Sequence, residues 1–154
     1  RDSYEMALTG EFLARDKPIF AICRGLQVLN ICAGGDIHQD INCQPGKVIK
    51  HMQEAPKWYP SHKISIKSDS KLSKITGKLQ LQVNSFHHQS PRRVAQGFQA
   101  SAWSEDGIIE AIESNSHRFV LGVQWHPEQM LARTEQKKLF QAFIKACARK
   151  EDPK

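Results

Sequence analysis

The chain has 154 residues, is 40% hydrophobic and carries a formal charge of +6. That size predicts one domain over 1–154 with a buried core, and no apolar run approaches the ~18 residues of a membrane span. The lysines are scattered and not interleaved with an aromatic RNA-reading motif, so the charge reads as a solvated basic surface, with no nucleic-acid and no membrane partner.

In chain order, residues 3–15 read as a helix whose inner face would be Met6, Leu8, Phe12 and Leu13. Asp16-Lys17-Pro18 ends it, because the residue before proline disfavours the helical region. The run 18–22, Pro-Ile-Phe-Ala-Ile, suits a strand buried on both faces of a parallel sheet. Leu26, Val28, Leu29 and Cys32 follow at helical spacing up to Gly34-Gly35. Residues 36–41 allow a short strand. The polar stretch 42–61, with Pro45, Pro56, Pro60 and the pair Trp58-Tyr59, reads as a long loop lining a substrate mouth. Alternating residues predict strands over 62–67 and 79–83, with a short helix over 71–76 between them. Residues 98–103 and 108–112 form a hairpin around Glu105-Asp106-Gly107. A second apolar strand covers 119–124. The last helix spans 134–149, with Leu139, Phe140, Phe143, Ile144 and Cys147 on one face, and the tail Glu151–Lys154 reads as frayed. This order predicts a three-layer α/β domain, mostly parallel with an antiparallel extension.

The four cysteines, Cys23, Cys32, Cys43 and Cys147, form no CxxC pair, which fits a reducing, cytoplasmic setting. Cys32 and Cys147 sit among apolar neighbours and read as core. The polar start Arg1-Asp2-Ser3-Tyr4-Glu5 does not resemble a secretory signal.

Cys23 follows the first apolar run directly, flanked two residues away on each side by Ala21 and Gly25. A sharp strand-to-helix turn there would lift the thiol out of the sheet edge. The N-terminus of the next helix would favour thiolate, and the Arg24 N–H would face a developing oxyanion. A cysteine after an apolar strand also fits plain packing. A second signal makes the catalytic reading sharper: Gly122-Val123-Gln124-Trp125-His126-Pro127-Glu128 ends the other apolar strand. In a parallel sheet both strand ends open at one edge, where His126 can take the Cys23 proton and Glu128 can orient the imidazole.

These segments resemble class I glutamine amidotransferases. The nucleophile run is 18–27 and the His–Glu run is 122–128. Val83-Asn84-Ser85-Phe86-His87-His88-Gln89 narrows the resemblance to the γ-glutamyl-γ-aminobutyrate hydrolase branch, the peptidase C26 type. Arg1-Asp2, the run 34–40 and the run 106–113 agree with that branch. The resemblance implies a flavodoxin-like fold and hydrolysis of a γ-glutamyl amide by Cys23, His126 and Glu128, with a role in polyamine breakdown. It also implies Gln27, Ser85, Phe86 and His87 near the glutamyl group. Family members carry a further N-terminal segment with the first strands and a Gly-rich loop, so the chain reads as the C-terminal part of such a domain. A glutaminase domain feeding ammonia to a synthetase, or a catalytically incomplete fragment, remain alternative readings. Adjacent residues of an extended segment point to opposite faces, so His87-His88 do not suit joint ligation. No zinc spacing accompanies them, and neither metal nor cofactor is expected. The partner is a small γ-glutamyl substrate, and a homodimer is allowed.

Overall fold

A computed structural model describes residues 2–148. The expected frayed tail, Glu151–Lys154, lies outside the described residues. A six-stranded sheet runs through the middle in the order β1 (Ile19–Ile22), β8 (Val120–Val123), β7 (Ile109–Ser114), β6 (Phe98–Ser104), β3 (His62–Ile66) and β4 (Gln80–Val83). The fold is mixed α/β. Within the described residues β1 and β8 form its parallel pair, and the other four pairings are antiparallel. A small ribbon joins β2 (Ile37–His38) to β5 (Ser90–Pro91). Among the described residues no helix is long and apolar enough to cross a membrane.

Strand alternation assigns each face of the sheet its own core. Ala21, Val120 and Ile112 pack with Leu26 and Leu29 of α2 (Arg24–Cys32). Phe20, Ile22, Leu121 and Val123 pack on the opposite side with Leu72 of α3 (Lys71–Thr76) and Leu139, Phe143 and Ala146 of α4 (Thr134–Ala148). Ser70 caps α3 by accepting from the Ser73 N–H. The buried Glu113 carboxylate of β7 accepts from Lys71 and Leu72 in the same first turn, where the helix dipole favours negative charge.

Four expectations change. β1 has core contacts on both faces, but it is the edge of the described sheet, so Ile19, Phe20 and Ile22 are half-buried rather than fully enclosed. No residue of α1 (Asp2–Ala14) is buried. That helix rests on α2, and Leu13 reaches the core while Leu8 and Phe12 stay exposed. α4 is rotated from the face its apolar residues suggested: Gln136, Leu139 and Ala146 are buried and Ile144 and Cys147 are exposed. The cause is Gln136, whose Oε1 accepts from the indole of the fully buried Trp125 at 2.9 Å. Cys32 is half-buried, with its thiol on the Met6 carbonyl.

Gly122 of β8 lies under α2, where an added Cβ would come 2.9 Å from Leu26 Cδ1 and 3.2 Å from its Cβ. Gly122→Ala is therefore expected to destabilise the protein by ~1–3 kcal/mol through overpacking, read as a lowered urea midpoint.

Candidate active site

β1 and β8 run in register from Ile19↔Val120 to Ile22↔Val123, and the pairing continues one residue further through the Cys23 N–H to the Val123 carbonyl, 2.8 Å. The chain then turns sharply. Cys23 sits at φ 50°, ψ −107° immediately before α2, a left-handed backbone that costs a non-glycine residue on the order of 1–3 kcal/mol. The predicted strand-to-helix elbow is thus present. Arg24 is the first residue of α2, so its N–H belongs to the helix's opening turn, where amides lack carbonyls four residues back. Its guanidinium is held by Glu5 and Asp2 of α1, which pins that helix beside the elbow.

His126 stands three residues beyond Val123. Its Nδ1 lies 2.6 Å from Glu128 Oε1. Its interaction with the Cys23 side chain, then the hydrogen bond to Glu128, outweigh partial burial and push its pKa up to about 10. Burial pushes the Glu128 pKa up, but His126, a main-chain amide and the nearby Lys57 prevail and hold it below the usual carboxylate range. The structure therefore brings Cys23, His126 and Glu128 together.

Two residues not singled out in the sequence complete this arrangement. The fully buried Asn84 clamps the His126 backbone from both sides, accepting from its N–H at 2.8 Å and donating to its carbonyl at 3.1 Å. It donates to the Lys57 carbonyl as well, tying the 42–61 loop to the site. Gln124, also buried, donates to Cys23 Sγ at 3.6 Å. Gln27 reaches the thiol through this amide: its Nε2 donates to Gln124 Oε1 at 3.3 Å and to the Gln89 carbonyl at 3.0 Å.

The run 85–87 is split by its extended geometry. It lies antiparallel to 51–53, with Met52 opposite Phe86 and main-chain bonds from His87 to His51 and from Gln53 to Ser85. Phe86 faces His126, with ring centroids 6.1 Å apart. Ser85 and His87 are buried and point their polar atoms to the other side: Ser85 Oγ to His51, and His87 Nε2 toward Glu110. Of that run, Phe86 is the side chain that borders the candidate triad. Trp58 and Tyr59 stack edge to face at the loop surface, 65% and 50% exposed. Gln53 organises this loop by donating to the carbonyls of Pro56 and Tyr59, each at 3.0 Å.

The peptidase C26 family model matches residues 1–128, and the chain belongs to that family. It is 43% identical over 131 residues to protein NtpR of Enterococcus hirae, covering 83% of this chain and 54% of that protein. It is 37% identical over 154 residues to the γ-glutamyl-γ-aminobutyrate hydrolase PuuD of Escherichia coli K12, covering 96% of this chain and 60% of that one. The chain thus spans little more than half the length of these relatives. Its fold matches the crystal structure of a glutamine amidotransferase from Methylobacillus flagellatus, with a TM-score of 0.73, 14% identity, and coverage of 96% of this chain and 70% of the other.

The His126 titration should be visible by NMR, with a midpoint near pH 10, and Cys23→Ala or Glu128→Gln should move it down toward the ordinary 6.5. Because the folded pKa lies above the unfolded one, the stabilisation is full below about pH 6.5 and is lost as pH rises through about 10. Denaturation of wild type against Glu128→Gln should differ most just below pH 6.5 and converge above 10. Asn84→Ala should lower stability by ~1–3 kcal/mol by stranding the groups it satisfies.

Proposed function

We propose that this protein hydrolyses a γ-glutamyl amide, with γ-glutamyl-γ-aminobutyrate as the leading substrate. The observation that carries the proposal is the strained Cys23 elbow facing a His126–Glu128 pair. Membership of the peptidase C26 family and the kinship with PuuD supply the substrate class. In this reading the Cys23 sulfur attacks the γ-carbonyl as thiolate, with His126 holding the proton as imidazolium. The Arg24 N–H stabilises the oxyanion. Collapse of the tetrahedral intermediate breaks the C–N bond. His126 passes its proton to the leaving amine, and a γ-glutamyl thioester remains on Cys23. His126 then takes a proton from water, whose oxygen attacks the thioester. Glutamate leaves and the thiol is restored.

Glu128 keeps the imidazole oriented throughout, and Gln124 holds the sulfur in place. Phe86 forms the apolar wall beside His126. Gln27 and the 85–87 run act on the glutamyl group through the positions they fix.

The expected result is release of glutamate and γ-aminobutyrate from γ-glutamyl-γ-aminobutyrate, abolished by Cys23→Ala. Release of ammonia from glutamine at a higher kcat/KM would replace this reading with glutaminase activity. Cys23 should also react with iodoacetamide faster than a model thiol near neutral pH. An ordinary rate would refute an activated nucleophile.

A further inference from the structure

Behind the Phe86 wall, four segments deliver titratable groups to one buried point. Glu110 of β7 is wholly buried, and its Oε1 lies 3.0 Å from His62 Nε2, 3.4 Å from His51 Nδ1 and 3.6 Å from His87 Nε2. The ligating atoms of His51, His62 and Glu110 all fall within 4.8 Å of one another. In a tetrahedral zinc site with bonds of ~2.0–2.1 Å, neighbouring ligand atoms are about 3.4 Å apart. The distances to Glu110 bracket that spacing.

The far nitrogens are occupied in the manner of bound imidazoles, which donate their second N–H to a carboxylate, a carbonyl or a hydroxyl. His51 Nε2 lies 3.0 Å from the buried Asp106 carboxylate. His87 Nδ1 lies 3.0 Å from the Gln89 carbonyl, and His62 Nδ1 lies 3.4 Å from Ser61 Oγ. This fixes tautomers. A carbonyl can only accept, so His87 carries its hydrogen on Nδ1, and a neutral ring turns a bare Nε2 toward Glu110. His51, donating to Asp106, presents Nδ1 as an acceptor, 3.1 Å from Ser85 Oγ and 3.4 Å from Glu110 Oε1. His87 Nε2 and Glu110 Oε2 are both buried without a hydrogen-bond partner, a costly state for polar atoms at the edge of this cluster.

We propose that His51, His62 and Glu110 bind a divalent first-row metal ion, with His87 beside them, its Nε2 3.6 Å from Glu110 Oε1. The nitrogen and carboxylate set suits zinc. A surface cavity of about 590 Å³, lined by His62, Ser61, Gln53, Lys50 and Glu105 among others, provides an approach. The ion ties β3, β7 and the paired segments 51–53 and 85–87 together, directly behind Phe86. It braces the active-site wall without touching the thiol, so the proposal stands independently of the hydrolase reading.

The test uses zinc on protein carrying Cys23→Ala, Cys43→Ala and Cys147→Ala, which removes the elbow thiol and the two exposed ones. After chelator treatment and re-equilibration with zinc chloride, metal analysis should find one zinc per chain. The ion should be lost in His62→Gln and Glu110→Gln and retained in His88→Gln, a change at an exposed neighbour. Asp106→Asn should weaken zinc by about 10- to 100-fold, since it orients a ligand without supplying one. Should either ligand variant fail to fold, cobalt(II) on the triple cysteine variant decides the question. An intense tetrahedral d–d spectrum without sulfur charge transfer is expected. The weak spectrum of an octahedral ion overturns the proposal, as does absence of bound zinc or stoichiometry unchanged in a folded His62→Gln. In those cases a proton, rather than a metal, holds the imidazoles to Glu110.

Discussion

One hydrogen bond, from the Cys23 amide to the Val123 carbonyl, carries the parallel pairing of β1 and β8 just past the last strand residues. It fixes the point where both chains leave the sheet. One chain turns at once into α2 with its thiol at the bend. The other runs three residues beyond Val123 to His126. Without that shared endpoint, a cysteine and a histidine 103 positions apart would have no common frame. The close approach of α2 over Gly122 serves the same end, because a bulkier residue would lift the helix and its first amides off the strand pair.

Around this endpoint the protein uses buried amides rather than apolar packing. Asn84 grips the His126 backbone, Gln124 meets the sulfur, Gln27 supports Gln124, and Gln53 gathers the loop and the Ser85 amide. A side-chain amide offers donors and an acceptor in one rigid plane. Each can therefore bind two chain segments and hold their separation. Hydrophobic contacts, being non-directional, fill the two cores but would not set the angle of an imidazole. The polar layer between the cores and the thiol is therefore what gives the site its geometry.

Much of the fold was legible in the sequence because alternation and apolar runs report burial directly. The strands over 62–67, 79–83 and 98–103 were read that way. So were the elbow and the His–Glu run, since they depend on residues near one another in sequence. Misreadings came where tertiary context overrode periodicity. In α4 the apolar stripe pointed to Ile144 and Cys147, yet Gln136 is drawn inward by the Trp125 indole and rotates the helix. In β1 the apolar run implied full burial; both faces do meet a core, but the described sheet places the strand at an edge and leaves Ile19, Phe20 and Ile22 half-buried. The cluster around Glu110 left no local trace: His51, His62 and His87 come from separate segments at irregular spacing, and their convergence depends on the pairing of 51–53 with 85–87 and on the order of β3, β6 and β7. Ser85 and His87, which the resemblance placed by the substrate, have their polar atoms in that cluster.

The backbone of Cys23 has a consequence for the chain's evolution. At φ 50° a side chain is a liability and glycine would sit without strain. Selection for folding alone would erode this cysteine in favour of glycine and leave the β1–β8 pairing and both cores unharmed. A cysteine held at so unfavourable a bend marks the place where the chain's stability and its chemistry pull in opposite directions.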